Sequence, residues 1–396
     1  MKPAAALDQL AVALRERLLA EAGVEGVGDL EGRIRALVER EAALLDVESR
    51  EELVARVAER SFGLGPLEPL LRDASVDEVM VNGAGAVWVE RGGRLEPTDV
   101  RFGSAADLRD VIERILAPLG RRVDEAEPLC DARLPDGSRV NVVIPPLAPD
   151  GPIVTVRRFR ARGLSADDLV AAGTWEPPLR DLLARAVRAR LSVLISGGTG
   201  SGKTTTLNAL SSFVPSDERI VTIEDTLELR LRQPHVVRLE ARPPSVEGRG
   251  EVTIRRLVRN ALRMRPDRIV VGEVRGGEAL DMLAAMTTGH DGSLSTVHAG
   301  SPEEALRRLE TLALMAGVGL PHAAIREQVA DAIDLVVHQA RLPDGTRRVV
   351  AVAEVVRVAG GPATRELFAW RDGRPEWRAA LSDRLAEWLA VGEQAA

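Results

Sequence analysis

The residues Gly197-Gly198-Thr199-Gly200-Ser201-Gly202-Lys203-Thr204 carry the spacing G-x-x-x-x-G-K-[ST], the pattern of a loop that cradles phosphate. Lys203 is one of two lysines in a chain otherwise supplied with arginine, the other being Lys2. With 35 glycines in 396 residues, the glycine and lysine part of the pattern would arise by accident about 0.015 times. The chemistry follows from the residue types. Glycines let successive backbone N–H groups curl around an anion, and a following helix adds the partial positive charge of its N-terminus. A lysine reaches the β and γ oxygens, and the next hydroxyl reaches Mg²⁺. Gly198, Thr199, Gly200, Ser201, Gly202, Lys203, Thr204 and Thr205 are therefore the candidate residues for ATP, and Thr204 the first candidate for Mg²⁺.

Further candidates lie downstream. Glu224, Asp225 and Glu228 follow the strand-like run Arg219 to Ile223, and Glu273 closes Arg268 to Gly272. Acids at carboxyl ends of such strands can hold Mg²⁺ or orient an attacking water, which makes Asp225 and Glu273 metal candidates and Glu224 and Glu273 candidates for positioning water. The alternative for these acids is capping of the helices that follow. His290 and His298 flank a third strand, Gly292 to Thr296, where a hydrogen-bonding relay competes with a purely structural role.

These groups need a scaffold. Leu191 to Ser196 reads as a buried strand and Thr204 to Leu210 as helix, which gives the strand, glycine loop, helix order that the motif requires. The alternation continues, so residues 178–396 are expected to form a RecA-like P-loop domain of the doubly wound α/β class, with its ligand at the carboxyl ends of the strands. Residues 163–177 read as a linker. Residues 61–162 read as a smaller α+β domain with strands at 78–81, 87–90 and 139–144 and a helix capped by Ser104. Residues 1–60, with Leu7, Leu10, Leu14 and Leu18 and then Leu53, Val54 and Val57 at helical spacing, read as a helical region. Arg133-Leu134-Pro135-Asp136-Gly137 recurs as Arg341-Leu342-Pro343-Asp344-Gly345, which we read as shared hairpin chemistry.

Composition narrows the function classes. A net charge of −7 and 3% aromatic residues disfavour nonspecific nucleic-acid binding, which needs cations and stacking platforms. A single cysteine, Cys130, excludes a disulfide framework and a paired-cysteine zinc site. No apolar run is long enough to span a bilayer and no leader opens the chain, so the cytoplasm is the expected compartment, with membrane contact only through partners.

Four boxes carry a resemblance: Ile223-Glu224-Asp225-Thr226-Leu227-Glu228-Leu229; Leu262-Arg263-Met264-Arg265-Pro266-Asp267 continuing into Gly272-Glu273-Val274-Arg275-Gly276; Thr288-Gly289-His290-Asp291-Gly292-Ser293; and Ser295-Thr296-Val297-His298-Ala299. Over residues 60 to 360 the chain resembles the type II/type IV secretion ATPase superfamily, and within it the tight-adherence (Tad/CpaF-type) pilus assembly ATPases. The resemblance implies a cytoplasmic homo-hexamer, peripheral to the inner membrane, that hydrolyses ATP to drive pilus assembly, retraction or secretion through membrane platform proteins. It further implies that Glu224 and Asp225 form an acidic box, that Glu273 is the second glutamate of the nucleotide site, that His290 and His298 form a histidine box, and that arginines of the preceding domain, here Arg133, Arg139 and Arg157, reach the phosphates. The absence of a tetracysteine element separates the chain from general-secretion relatives but not from type IV secretion ATPases, which stand as the alternative. A nucleic-acid motor and a nucleotide-binding scaffold without turnover are the rivals outside the superfamily.

Overall fold

The computed structural model describes Leu7, Leu10, Ala11, Ala13, Leu14, Arg17 and residues 30–62, 64–134, 136–159, 163–242 and 249–394. Of the residues read from sequence, Leu18, Gly63 and Pro135 lie outside this set. The chain divides into two compact units, Met1–Arg160 and Ala161–Ala396.

The first unit opens with helices Leu30–Glu41 and Val47–Phe62. Leu14, Ile34, Leu37, Val38, Leu53, Val54 and Val57 share one small core, as the helical spacing of apolar residues requires. A six-stranded antiparallel sheet follows: β1 Val76–Asn82, β2 Ala86–Arg91, β3 Arg94–Arg101, β4 Leu129–Arg133, β5 Arg139–Val143 and β6 Ile153–Arg157, in the spatial order β3-β2-β1-β6-β5-β4. One face is apolar. Val79, Val81, Val87, Val89, Val140, Val142, Val154 and Val156 bury it against helix Ala105–Leu116, whose N-cap Ser104 accepts a hydrogen bond from the Asp107 amide.

The second unit holds a nine-stranded sheet: β7 Val193–Gly197, β8 Ile220–Glu224, β9 Val236–Glu240, β10 Arg268–Val274, β11 Leu294–His298, β12 Leu335–Arg341, β13 Arg347–Val358, β14 Gly361–Arg371 and β15 Arg374–Trp377. Its order is β15-β14-β13-β12-β7-β11-β10-β8-β9. β12, β7, β11, β10, β8 and β9 run parallel. Their fully buried runs, such as Val193–Gly197, explain why they read as continuous apolar segments. β13 to β15 extend the sheet by antiparallel pairing, a feature that residues 340–380 did not announce. Helices cover both faces, one core centred on Val271, Leu283 and Leu309 and the other on Leu183, Ile195 and Leu207.

Residues 163–177, expected as a linker, instead contribute to this unit. Ser165 caps helix Ala166–Ala171 with a reciprocal capping box to Asp168, and Ala166, Leu169 and Trp175 are buried with helix Pro177–Arg188. The two RLPDG segments do form equivalent hairpin connections, β4 to β5 and β12 to β13. In each, a leucine amide donates across the turn, Leu134 to Ser138 O and Leu342 to Thr346 O, both at 2.8 Å. In each, an aspartate side chain accepts the amide two residues on, at 2.8 Å for Ser138 and 2.9 Å for Thr346.

Candidate nucleotide site

The phosphate loop leaves β7 at Gly197 and enters helix Lys203–Ser211 at Gly202. A Cβ at Gly197 would stand 2.2 Å from the carbonyl oxygen of Gln339, so only glycine lets β12 approach this closely. Gly200 and Gly202 have φ of 69° and 96°, in the left-handed region. Lys203 Nζ donates to the carbonyls of Gly197 at 3.0 Å and Gly198 at 2.9 Å, which directs the ammonium across the loop. The geometry suits a phosphate chain. No side chain caps the helix N-terminus, and a Cβ built on Gly198 or Gly200 meets nothing within 4 Å. The Ser201 hydroxyl is buried in the loop with no hydrogen-bond partner. Thr204 and Thr205, in the first turn, are partly exposed, whereas Thr206 is fully buried.

The acids sit along the same edge of the sheet at graded distances. β11 lies between β7 and β10, and β8 lies beyond β10. At the usual strand spacing, Glu273 on β10 and Glu224 on β8 belong to strands about 10 Å and about 14 Å from the loop's own strand. Glu224 is buried. Its Oε2 accepts the amides of Glu228 at 2.7 Å and Leu229 at 2.9 Å, while Oε1 is buried without a partner. Burial raises its pKa above the ordinary carboxylate value, against the opposing pull of those two amides. A Cβ at Gly272 would stand 2.9 Å from Glu224 Cγ, so Gly272 makes room for the side chain across the β8–β10 pair. Glu273 is held by Arg275, whose Nε donates to it at 2.8 Å, and the same guanidinium stands 3.7 Å from Asp225. Arg275 thereby brings together the two acids that the sequence marks as metal candidates. Among the described residues, no group of three or more His, Cys, Asp or Glu forms a ready metal cage.

The two histidines separate. His298 ends β11 directly opposite Gly197, at the loop and exposed. His290 does not reach it. β11 starts level with Val193, the first residue of β7, and Ser293 Oγ, just before β11, donates to the carbonyl of His290 at 2.8 Å. His290 thus lies at the amino ends of the strands, about 13 Å or more from the loop along the strand axis. Within one chain the expected relay through both histidines does not form, because a parallel strand separates its two ends by its full length.

Sequence reasoning also missed residues beside the loop. His338 on β12 is buried, its Nδ1 2.9 Å from Ser196 Oγ, and burial lowers its pKa. Arg347 Nε donates to the carbonyl of Gly200 at 2.9 Å. The only signal for these was the second RLPDG segment, which fixes where β12 turns back.

In the first unit, the three candidate arginines form a row. Arg133 pairs with Arg139 across β4 and β5, and Arg139 pairs with Arg157 across β5 and β6. Directly opposed residues share a face of a sheet, so the three cations stand side by side. The row continues through Glu78, opposite Arg157, to Glu90. Burial raises the pKa of Glu78, and Arg157 beside it works in the opposite direction. Of the nearby acids, Asp131 accepts from Asn141 Nδ2 at 3.0 Å and Asp136 from the Ser138 hydroxyl at 2.9 Å.

Residues 60–360 match the family of type II/IV secretion system proteins. The chain belongs to this family. Rv3659c of Mycobacterium tuberculosis, a protein named for conjugal transfer, is 43% identical over 331 residues, covering 82% of this chain and 93% of that protein. The type IV secretion system protein PtlH of Bordetella pertussis is 37% identical over 329 residues, covering 74% of this chain and 94% of its own. Among solved structures, the ATPase DotB of Yersinia pseudotuberculosis aligns with a TM-score of 0.52 at 16% identity, over 89% of this chain and 84% of that one. The last is a likeness of fold, and it agrees with a RecA-like α/β unit following a smaller α+β unit.

Proposed function

We propose that the chain is an ATP-hydrolysing motor of a type IV secretion or conjugal-transfer apparatus, acting as a homo-hexamer at the cytoplasmic face of a membrane through membrane-embedded partners. The phosphate loop carries this reading: a glycine-rich turn, a helix N-terminus without a side-chain cap and the one internal lysine converge at the end of β7. The relatives' names, conjugal transfer and type IV secretion, favour those apparatuses over the tight-adherence pilus branch that the sequence resemblance first suggested.

In this reading Lys203 and the loop amides hold the β- and γ-phosphates, and Thr204 offers its hydroxyl to Mg²⁺. ATP supplies the phosphoryl group, and Mg²⁺ offsets its charge. Glu273, two strands from β7, is better placed than Glu224 to orient water. Glu224, anchored by the amides of Glu228 and Leu229, shapes the turn that presents Asp225. His298 stands beside Gly197. The row Arg133, Arg139, Arg157 is assigned the charge compensation that the family resemblance implies. Phosphate release from ATP, measured with Mg²⁺ and with Mg²⁺ chelated, tests the reading: release that requires Mg²⁺ supports it, and no release at any protein concentration overturns it.

A further inference from the structure

One wall of the phosphate loop is built by the β12–β13 hairpin, through Gln339 and Arg347. Gln339 is 1% exposed and lies level with Gly197 in the β7–β12 pair. A register shift against β13 falls between His338 and Gln339, and such bulges commonly re-aim side chains beside sites. The Gln339 Oε1 accepts the hydroxyl of Thr206, which is fully buried. Its Nε2 is 2.8 Å from where a Cβ of Gly202 would stand, so the amide is pressed against the helix N-cap. Arg347, one strand further along, contributes the bond to Gly200 O at 2.9 Å, and its Cδ is 3.4 Å from the same built Cβ. Gly200 and Gly202 are the two loop residues with left-handed backbones, and glycine is the residue that loses most freedom when ordered.

We propose that Gln339 and Arg347 are positioning residues that brace the Gly200–Gly202 segment, holding the loop amides in the geometry that receives a nucleotide's phosphates. The inference rests on the nucleotide reading of the loop. A loop already held in its binding shape loses less entropy on binding, so the brace acts on affinity. Thr206 belongs to it through Gln339 alone: its hydroxyl is spent on that amide and not on a carbonyl of its own helix.

The test is binding of the fluorescent nucleotide mant-ADP, with Mg²⁺, to the full chain, alongside thermal unfolding without nucleotide. Gln339→Ala and Thr206→Val should each weaken binding about five- to tenfold, the size expected of one hydrogen bond. The double variant should be no weaker than the weaker single, because both remove the same bond. Arg347→Ala should weaken binding similarly, and Arg347→Lys, which keeps a donor, should recover most of it. If Gln339→Ala does not fold, Gln339→Glu serves: it keeps the acceptor for Thr206 and loses the amide nitrogen at Gly202, and it should still bind more weakly than the parent. Parent-like affinity in both Gln339 variants, or full additivity in the double, overturns the brace. Lys203→Ala separates the two levels. If that variant also binds like the parent, the nucleotide reading fails and the brace with it; if it loses binding while the Gln339 variants do not, the brace alone is wrong.

Discussion

Glu224 shows how one side chain can carry two demands. It is buried at the carboxyl end of β8, two amides hold one oxygen, and the other has no partner. Burial raises its pKa, so the folded protein holds the proton more tightly than the unfolded chain does. The group's contribution to stability is therefore fully present below the unfolded value and is lost as the pH rises through the folded value. Glu224→Gln removes that titration. The variant is expected to melt at least as high as the parent at pH 8, and the difference should shrink as the pH falls towards 5. Thermal unfolding across that range checks it, and a variant that is less stable at pH 8 than at pH 5 relative to the parent would contradict the assignment. Glu273 differs: it is tied to Arg275 at the more accessible position. Glu273→Gln should keep nucleotide affinity within about threefold while turnover falls by about a hundredfold or more, as loss of a water-orienting group requires. Parallel binding and phosphate-release measurements distinguish this from a helix cap.

At the scale of elements, close approach between strands decides the site. Gly272 allows the Glu224 side chain to cross the β8–β10 pair, with a Cβ at Gly272 placed 2.9 Å from Cγ. Gly272→Ala should therefore destabilise the chain by about 1–3 kcal/mol, the usual cost of overpacking, and denaturant unfolding measures it. The sequence made these elements legible where chemistry and periodicity coincide. β7, the glycine loop and the following helix were readable because apolar run, glycine spacing and helix are local signals. Ser104 announced a helix start, and it accepts the expected amide. What stayed hidden depends on register between distant segments. Nothing near residue 339 says that Gln339 stands level with Gly197, and nothing near residue 290 says that His290 is left at the far end of β11. Arg133, Arg139 and Arg157 were singled out by the family resemblance alone, and their placement in one row is a consequence of antiparallel pairing between distant segments.

The whole molecule is two units, each with its own core. Residues 163–396 hold the phosphate loop, the acids and His298 and have hydrophobic cores of their own, so this fragment is expected to fold and to bind nucleotide. It lacks the arginine row. An arginine applied to a transferring phosphoryl group is worth about 10³ to 10⁵ in rate, so the fragment should hydrolyse ATP slower than the full chain by a factor in that range, and Arg139→Ala in the full chain should lose part or all of the same factor. Fragment turnover equal to that of the full chain would remove the row from the mechanism. Under the proposed homo-hexamer, activity per chain should rise with protein concentration as subunits assemble.

The central claim is that the end of β7 is a phosphate site whose essential cation is Lys203. Phosphate release from ATP by the parent and by Lys203→Ala, both confirmed as folded by thermal unfolding, tests it most directly. Lys203 is partly exposed and its Nζ bonds the loop carbonyls of Gly197 and Gly198, so the variant should melt within a few degrees of the parent while releasing almost no phosphate. A folded Lys203→Ala protein that hydrolyses ATP at the parent's rate would contradict the account.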